Sequence, residues 1–144
     1  MMRICKMTPD DLDQVMAIET TAFKDPWRRS FFLSDLSRSG TILLVAKIGS
    51  KVIGYIDAWL LGDELHLANI AVDQEFRRRG VGTKLIKKIM AIGRQQGAKY
   101  IILEVRRSNI GAQMFYEKLG FYHFYTRPRY YSNGEDALIY KLDL

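Results

Sequence analysis

Cysteine is nearly absent. Cys5 stands alone among 144 residues, so no internal disulfide can form and no site built from several thiolates can exist. It sits in the strand-like run "MRICKM", where core packing is the ordinary role of such a residue. Histidine is also scarce. His66 and His123 are far apart in sequence, which gives little ground for a zinc site, and no metal is expected. No apolar run reaches the ~20 residues of a membrane-spanning helix, and no long apolar segment opens the chain. A cytoplasmic protein with no membrane partner is therefore expected. Repeats, low-complexity tracts and linker-like stretches are missing, and Pro9, Pro26 and Pro128 are scattered. One domain over residues 1–144 is expected.

The composition is 48% hydrophobic and 26% charged, that of a globular chain. Net charge is +6, with a pI near 9.5. That balance suits an anionic ligand, a nucleic acid or an acidic surface, and does not choose among them.

Apolar spacing and turn chemistry predict the order β-α-α-β-β-β-α-β-α-β-β. "TPDD" has the marks of a helix start, with Thr8 as cap and Pro9 in the first turn; Leu12, Val15, Met16 and Phe23 carry the helical spacing. "TILLVAKIGSKVIGYIDAWLL" reads as a hairpin turning at "GSK", and "ELHLANIAV" as the next strand. A helix from Gly82 to about Gln96 places Leu85, Ile86, Ile89, Met90 and Ile92 on one face. "KYIILEV", "SNIGAQMFYEKLG", "FYHFY" and "ALIYKLDL" complete the pattern. The fold class is α/β (α+β): a mixed, mostly antiparallel sheet of about seven strands with about four helices and a central βαβ crossover.

"VDQEFRRRGVGTKL" holds the chemistry that patterning does not explain. A dinucleotide fingerprint needs a third glycine, but Leu85 stands there, and the preceding strand ends too early. A P-loop needs a glycine five residues before Lys84 and lacks it. What remains is an arginine-rich loop entering a glycine-spaced helix start. Such a start binds anions, and a pyrophosphate suits it. A solvated charge run over a plain turn fits the spacing equally well.

The segment Arg77-Arg78-Arg79-Gly80-Val81-Gly82 resembles the R/Q-x-x-G-x-G/A motif of the GNAT acyltransferase superfamily. "LHLANIAVDQEFRRRGVGTKLI", "LEVRRSNIGAQMFYEKLGF", "RPRYYSNGEDALIYKL" and "AFKDPWRRSFF" extend the likeness over nearly the whole chain, toward the bacterial RimI and archaeal N-terminal acetyltransferase group. The resemblance implies a GNAT fold and acetyl-coenzyme A as cosubstrate. Its pyrophosphate would lie on Arg77 to Thr83, and its pantetheine arm against the backbone of Ile70, Ala71 and Val72. Asn109 would contact it and could also cap its own helix.

Acetyl transfer to an amine requires loss of an amine proton, stabilisation of an oxyanion and neutralisation of the departing thiolate. The resemblance makes Glu104 the proton acceptor and Tyr116 the proton donor. Read from the residues alone, Glu104 would pair with Arg106 or Arg107 or face solvent, and Tyr116 would be a core aromatic. Tyr130, Tyr131 and Trp27 are implied as acceptor contacts, although aromatic packing is their ordinary role. The acceptor implied is a protein N-terminus, of a ribosomal protein or of a broader set, acetylated by a monomer or weak dimer. Acetylation of a small-molecule amine or of lysine is the alternative on the same fold. A basic nucleic-acid-binding domain is the non-enzyme alternative. No nucleic-acid motif supports it, so no direct nucleic-acid partner is expected.

Overall fold

The computed structural model describes residues 1–144. The chain forms β1 (Met2–Lys6), α1 (Leu12–Ala22), α2 (Arg29–Ser37), β2 (Thr41–Ile48), β3 (Lys51–Leu61), β4 (Glu64–Val72), α3 (Val81–Gln95), β5 (Tyr100–Arg106), α4 (Ile110–Lys118), β6 (Tyr122–Arg127) and β7 (Ala137–Asp143). This is the element order expected from the sequence. Before α1, Thr8 and Asp11 form a reciprocal capping box around a short 3-10 turn that Pro9 opens. Phe23 falls just past α1 with extended backbone, so it does not belong to the helix as its spacing suggested.

All seven strands form one sheet in the order β1-β2-β3-β4-β5-β7-β6. Every pairing is antiparallel except β4 with β5, which the α3 crossover makes parallel. That parallel seam is short. Its ladder joins only Glu64 to Tyr100, Leu65 to Ile101 and His66 to Ile102. Beyond His66 the two strands have no ladder between them.

Two cores lie on opposite faces. Ile56, Leu65, Leu85, Ile86, Ile89, Leu103, Tyr116 and Tyr140 belong to the α3/α4 core. Val15, Phe32, Val45 and Tyr55 belong to the α1/α2 core, which holds no residue of β5, β6 or β7. α3 sits close to the sheet because Gly93 is buried; a Cβ there would meet Leu65 Cδ2 at 2.9 Å. Within β4 the register slips. Asp57 pairs with Asn69 but Ala58 pairs with Leu67, which leaves Ala68 as the extra residue of a bulge. Leu65 and Leu67 face the α3/α4 core before the bulge, and Ile70 and Val72 pack against it afterwards. The bulge thus shifts the alternation by one residue and turns Asn69 and Ala71 toward α1.

Candidate active site

The glycine loop ends in a helix start without a side-chain cap. Gly80, at φ +79°, takes the left-handed N-cap position that glycine enters without steric cost. No side chain answers the first amides of α3, and these are the donors a helix start leaves unpaired. A Cβ at Gly82 would meet Phe115 at 3.4 Å, Val72 at 3.8 Å and Ile70 at 4.0 Å. The start of α3, the end of β4 and the α4 aromatic therefore converge, and Ile70, Val72 and Gly82 share one place. Helix dipole and free amides together favour an anion there, so the residues fit a pyrophosphate.

The arginines differ among themselves. Arg77 donates Nε–H to the Val72 carbonyl at 3.3 Å, Arg79 lies over the Phe76 ring at 5.2 Å, and Arg78 has a left-handed φ of +63°. Val81 is buried in the α3/α4 core, Thr83 is half-buried, and Ala71 packs toward α1. Asn109 caps α4, accepting the Ala112 amide at 3.1 Å.

Glu104 is half-buried on the face opposite Leu103 and Val105. Neither neighbouring arginine pairs with it: Arg106 binds Glu135 at 3.3 Å and Arg107 binds Asp136 at 3.1 Å. Its partner is His66, with Nε2 3.6 Å from Oε1, at the point where the β4–β5 ladder ends. The nearby His66 imidazole holds the carboxyl below the usual carboxylate range, against the opposing effect of burial, and Arg127 charge adds to the lowering. His66 packs edge-on against Trp59, ring centroids 5.0 Å apart.

Tyr116 is buried between Phe115 and Phe121, with ring centroids at 5.1 and 5.5 Å. Burial alone raises its hydroxyl well above the usual tyrosine value, so the group holds its proton. Glu104 and Tyr116 stand on opposite faces of the sheet. Between the two residues, β4 and β5 share no ladder beyond His66.

Two loops flank Glu104. Tyr131 follows β6, with the Arg106 guanidinium 3.9 Å over its ring and Tyr130 perpendicular to it at 5.1 Å. Glu135 anchors the same loop by accepting the Ser108 amide at 2.6 Å. On the other side, the Trp27 amide donates to Glu19 at 2.9 Å. Glu19, fully buried on α1, also accepts from Tyr55 at 2.5 Å and from Asn69 at 2.9 Å. That carboxylate ties the α1–α2 loop to the bulged strand. Asp25 of this loop approaches Arg106 at 4.0 Å and links the two walls.

His66 and Glu19 were not among the residues singled out by sequence. A lone histidine in an apolar strand and a glutamate in an amphipathic helix carry no local signal of their roles. A concavity of about 660 Å3 lies between α1 and the end of β4. It meets the cradle only through Val72 and Arg77 and reaches neither Glu104 nor Tyr116. Strand geometry, and not this hollow, marks the site.

Known proteins match both sequence and fold. The profile described as the acetyltransferase (GNAT) family covers residues 12–121. A putative [ribosomal protein bS18]-alanine N-acetyltransferase of Bacillus subtilis is 35% identical over 136 residues, 92% of this chain and 89% of its own. An N-alpha-acetyltransferase of Saccharolobus solfataricus is 33% identical, over 90% of this chain and 86% of its own. The crystal structure of the ribosomal-protein-S18-alanine N-acetyltransferase of Escherichia coli superposes with a TM-score of 0.90 at 32% identity, covering 99% of this chain and 94% of its own.

Proposed function

From the premise that this chain belongs to the GNAT acetyltransferase family, we propose that it acetylates the α-amine of a protein N-terminus, with Glu104 as proton acceptor and Tyr116 as proton donor. Acetyl-coenzyme A, the acetyl donor of the family, supplies an activated thioester. The α3 amides of Val81 to Thr83 and the β4 backbone from Ile70 to Val72 are the groups that would hold it.

The observation that carries the reading is the placement of Glu104. It is an ionised carboxylate at the mouth of the β4–β5 opening, between two loops tied together through Arg106. As the amine nitrogen forms its bond to the acetyl carbon and the carbon–sulfur bond breaks, the amine must lose one proton and the sulfur must gain one. Glu104 takes the first, directly or through one water, and the adjacent His66 imidazole steadies the carboxylate. Tyr116 gives the second from the opposite face, where burial keeps its hydroxyl protonated.

Because its carboxyl is held low, Glu104 is a weak base. It suits an amine already partly neutral near pH 7, as an α-amine with a pKa of about 7.7–8.0 is; a lysine, near 10.4, is almost wholly charged. The linked walls also obstruct an internal lysine, whose chain continues in both directions. Relatives named for the alanine of ribosomal protein bS18 support a ribosomal acceptor, and the archaeal relative's name carries no such restriction.

The test uses two peptides of one lysine-containing sequence, one with a free N-terminus and one blocked. Mass spectrometry should locate acetyl on the free α-amine only. Equal lysine acetylation of both would overturn the assignment. Reaction with neither, but rapid turnover of a polyamine, would favour a small-molecule acceptor.

A further inference from the structure

Trp59 on β3 lies between two partners in register, Thr41 of β2 on one side and His66 of β4 on the other. It is half-buried, and its indole N–H donates to Asp35 Oδ2 at 2.9 Å. Asp35 is buried near the end of α2 and is itself fixed there. Its Oδ1 accepts from Arg38 at 3.3 Å, and its main-chain carbonyl accepts the Thr41 hydroxyl. The Arg38 guanidinium also lies over the Trp59 ring, 5.8 Å from its centroid. The indole is therefore tied both to its own strand and to α2. At the other end of that helix, Phe32 packs on Trp27, ring centroids 5.3 Å apart. One helix thus supports a proposed acceptor contact and the anchor of Trp59.

The same indole meets the His66 imidazole. Their centroids are 5.0 Å apart and their planes cross at 72°, an arrangement that aromatic pairs prefer. His66 needs such support. Its Nε2 is buried and makes no hydrogen bond, and Glu104 Oε1, at 3.6 Å, lies beyond hydrogen-bond reach. A ring whose Nε2 is not bonded can still turn about its side-chain torsions, and the fixed indole limits that turn. We propose that Trp59, held by Asp35, is a positioning residue for acetyl transfer: it sets the orientation in which the His66 imidazole faces Glu104. The proposal deepens the α-amine reading and rests on Glu104 as proton acceptor. Trp59 carries no proton in it and acts only through His66.

The experiment measures kcat for a free-amine peptide from about pH 4 to 9 at saturating acetyl-coenzyme A, with thermal melts beside it. Trp59→Leu should lower kcat at pH 7 by about tenfold, less than the roughly 10²-fold that a 1 Å misplacement can cost, because His66 itself remains. KM for acetyl-coenzyme A should stay within twofold. The acid limb should move upward, since the imidazole that holds the Glu104 carboxyl low is no longer fixed beside it. The other charged or titratable groups about the pair are Arg127 and Tyr131 near Glu104, Arg106 and Asp57 two positions along β5 and β3, and Asp35 and Arg38 of the anchor. Substituting Trp59 or His66 leaves all of them in place. In a His66→Leu background, Trp59→Leu should alter neither kcat nor the limb further, because its route to Glu104 is gone. Asp35 supplies a second pair of variants. Asp35→Asn keeps an oxygen for the indole N–H and should stay within twofold of wild type. Asp35→Leu, which also removes a carboxyl neighbour of Asp57, should reproduce Trp59→Leu. Wild-type kcat and limb in folded Trp59→Leu would overturn the inference and leave Glu104 in its role. So would equal losses with and without His66, or matching profiles for Asp35→Asn and Asp35→Leu. Wild-type turnover by Glu104→Gln across the whole range would overturn the assignment of the base, and the inference with it.

Discussion

His66 Nε2 stands 3.6 Å from Glu104 Oε1, and His66 is also the last residue of β4 to share a ladder with β5. The pair therefore sits where the sheet divides. Removing either partner should disturb chemistry more than folding.

Glu104→Gln should lower kcat by about 10²–10⁴-fold, the usual contribution of a general base, with coenzyme A affinity little changed. Because the carboxylate is already ionised, the rise of kcat/KM through neutral pH should follow the acceptor amine. The deficit of the variant should shrink toward pH 9 as the amine loses its proton unaided. His66→Leu should raise the carboxyl's titration point and move the acid limb of the profile upward. Steady-state rates from about pH 4 to 9 check both. Profiles identical to wild type would leave the pair a structural role only.

Tyr116→Phe should fold normally, because no hydrogen bond of the chain uses that hydroxyl and burial is its only perturbation. Turnover should fall at the step that neutralises the thiolate. A melting curve beside a single-turnover rate separates the two effects, and an unchanged rate would reduce Tyr116 to packing.

At the glycine loop, two substitutions should part company. Gly80→Ala forces a side chain into a left-handed φ and should cost about 1–2 kcal/mol of stability, although nothing lies within 4 Å to clash. Gly82→Val has ordinary backbone but places its methyls against Phe115, Val72 and Ile70, so coenzyme A affinity should fall first. Calorimetric titration with coenzyme A and thermal melts distinguish them. Unchanged affinity in folded Gly82→Val would remove the cradle.

Asp57 offers a pH test away from the chemistry. It is fully buried on β3, with neither carboxyl oxygen hydrogen-bonded. Burial first, then the neighbouring Asp35 carboxylate, pushes it up to about 9. Asp35 is itself held by Trp59 Nε1 at 2.9 Å and by Arg38 at 3.3 Å. The folded chain thus keeps a proton on Asp57 that the unfolded chain releases near pH 4. Its stabilising effect is complete below that pH and declines as pH rises toward 9, at no more than about 1.4 kcal/mol per pH unit. Asp57→Asn should flatten this slope and gain most over wild type at the alkaline end. Parallel stability curves for the two proteins would sink the assignment.

Much of this architecture is legible in the sequence because its signals are local. Alternating or continuous apolar runs mark strands, Gly49, Gly62 and Gly120 mark ends, and Leu85, Ile86 and Ile89 mark one helix face. The arginine–glycine loop is legible for the same reason, since its function resides in consecutive backbone groups. What escapes depends on chain segments far apart. The bulge at Ala68 is visible only as a change of phase between Leu67 and Ile70. Glu19 becomes informative only when Tyr55, Asn69 and the Trp27 amide converge on it. Arg106 invites pairing with Glu104, two residues away on the same strand face, yet Glu135, in the loop before β7, takes the guanidinium.

The three-rung seam between β4 and β5 also has a mechanical meaning. It is the only ladder joining β1 through β4 to β5, β7 and β6, so helix packing must supply the rest of the tie. A molecule that bonds to both strands would act as a clasp. Amides on β4 from Asn69 to Val72 should exchange with deuterium faster than those of β3, and coenzyme A should slow them. Melting temperature should climb with coenzyme A concentration, by the equivalent of about 2.7 kcal/mol at a hundredfold excess over Kd. The enzyme would then be most rigid when loaded with its donor and loosest between turnovers.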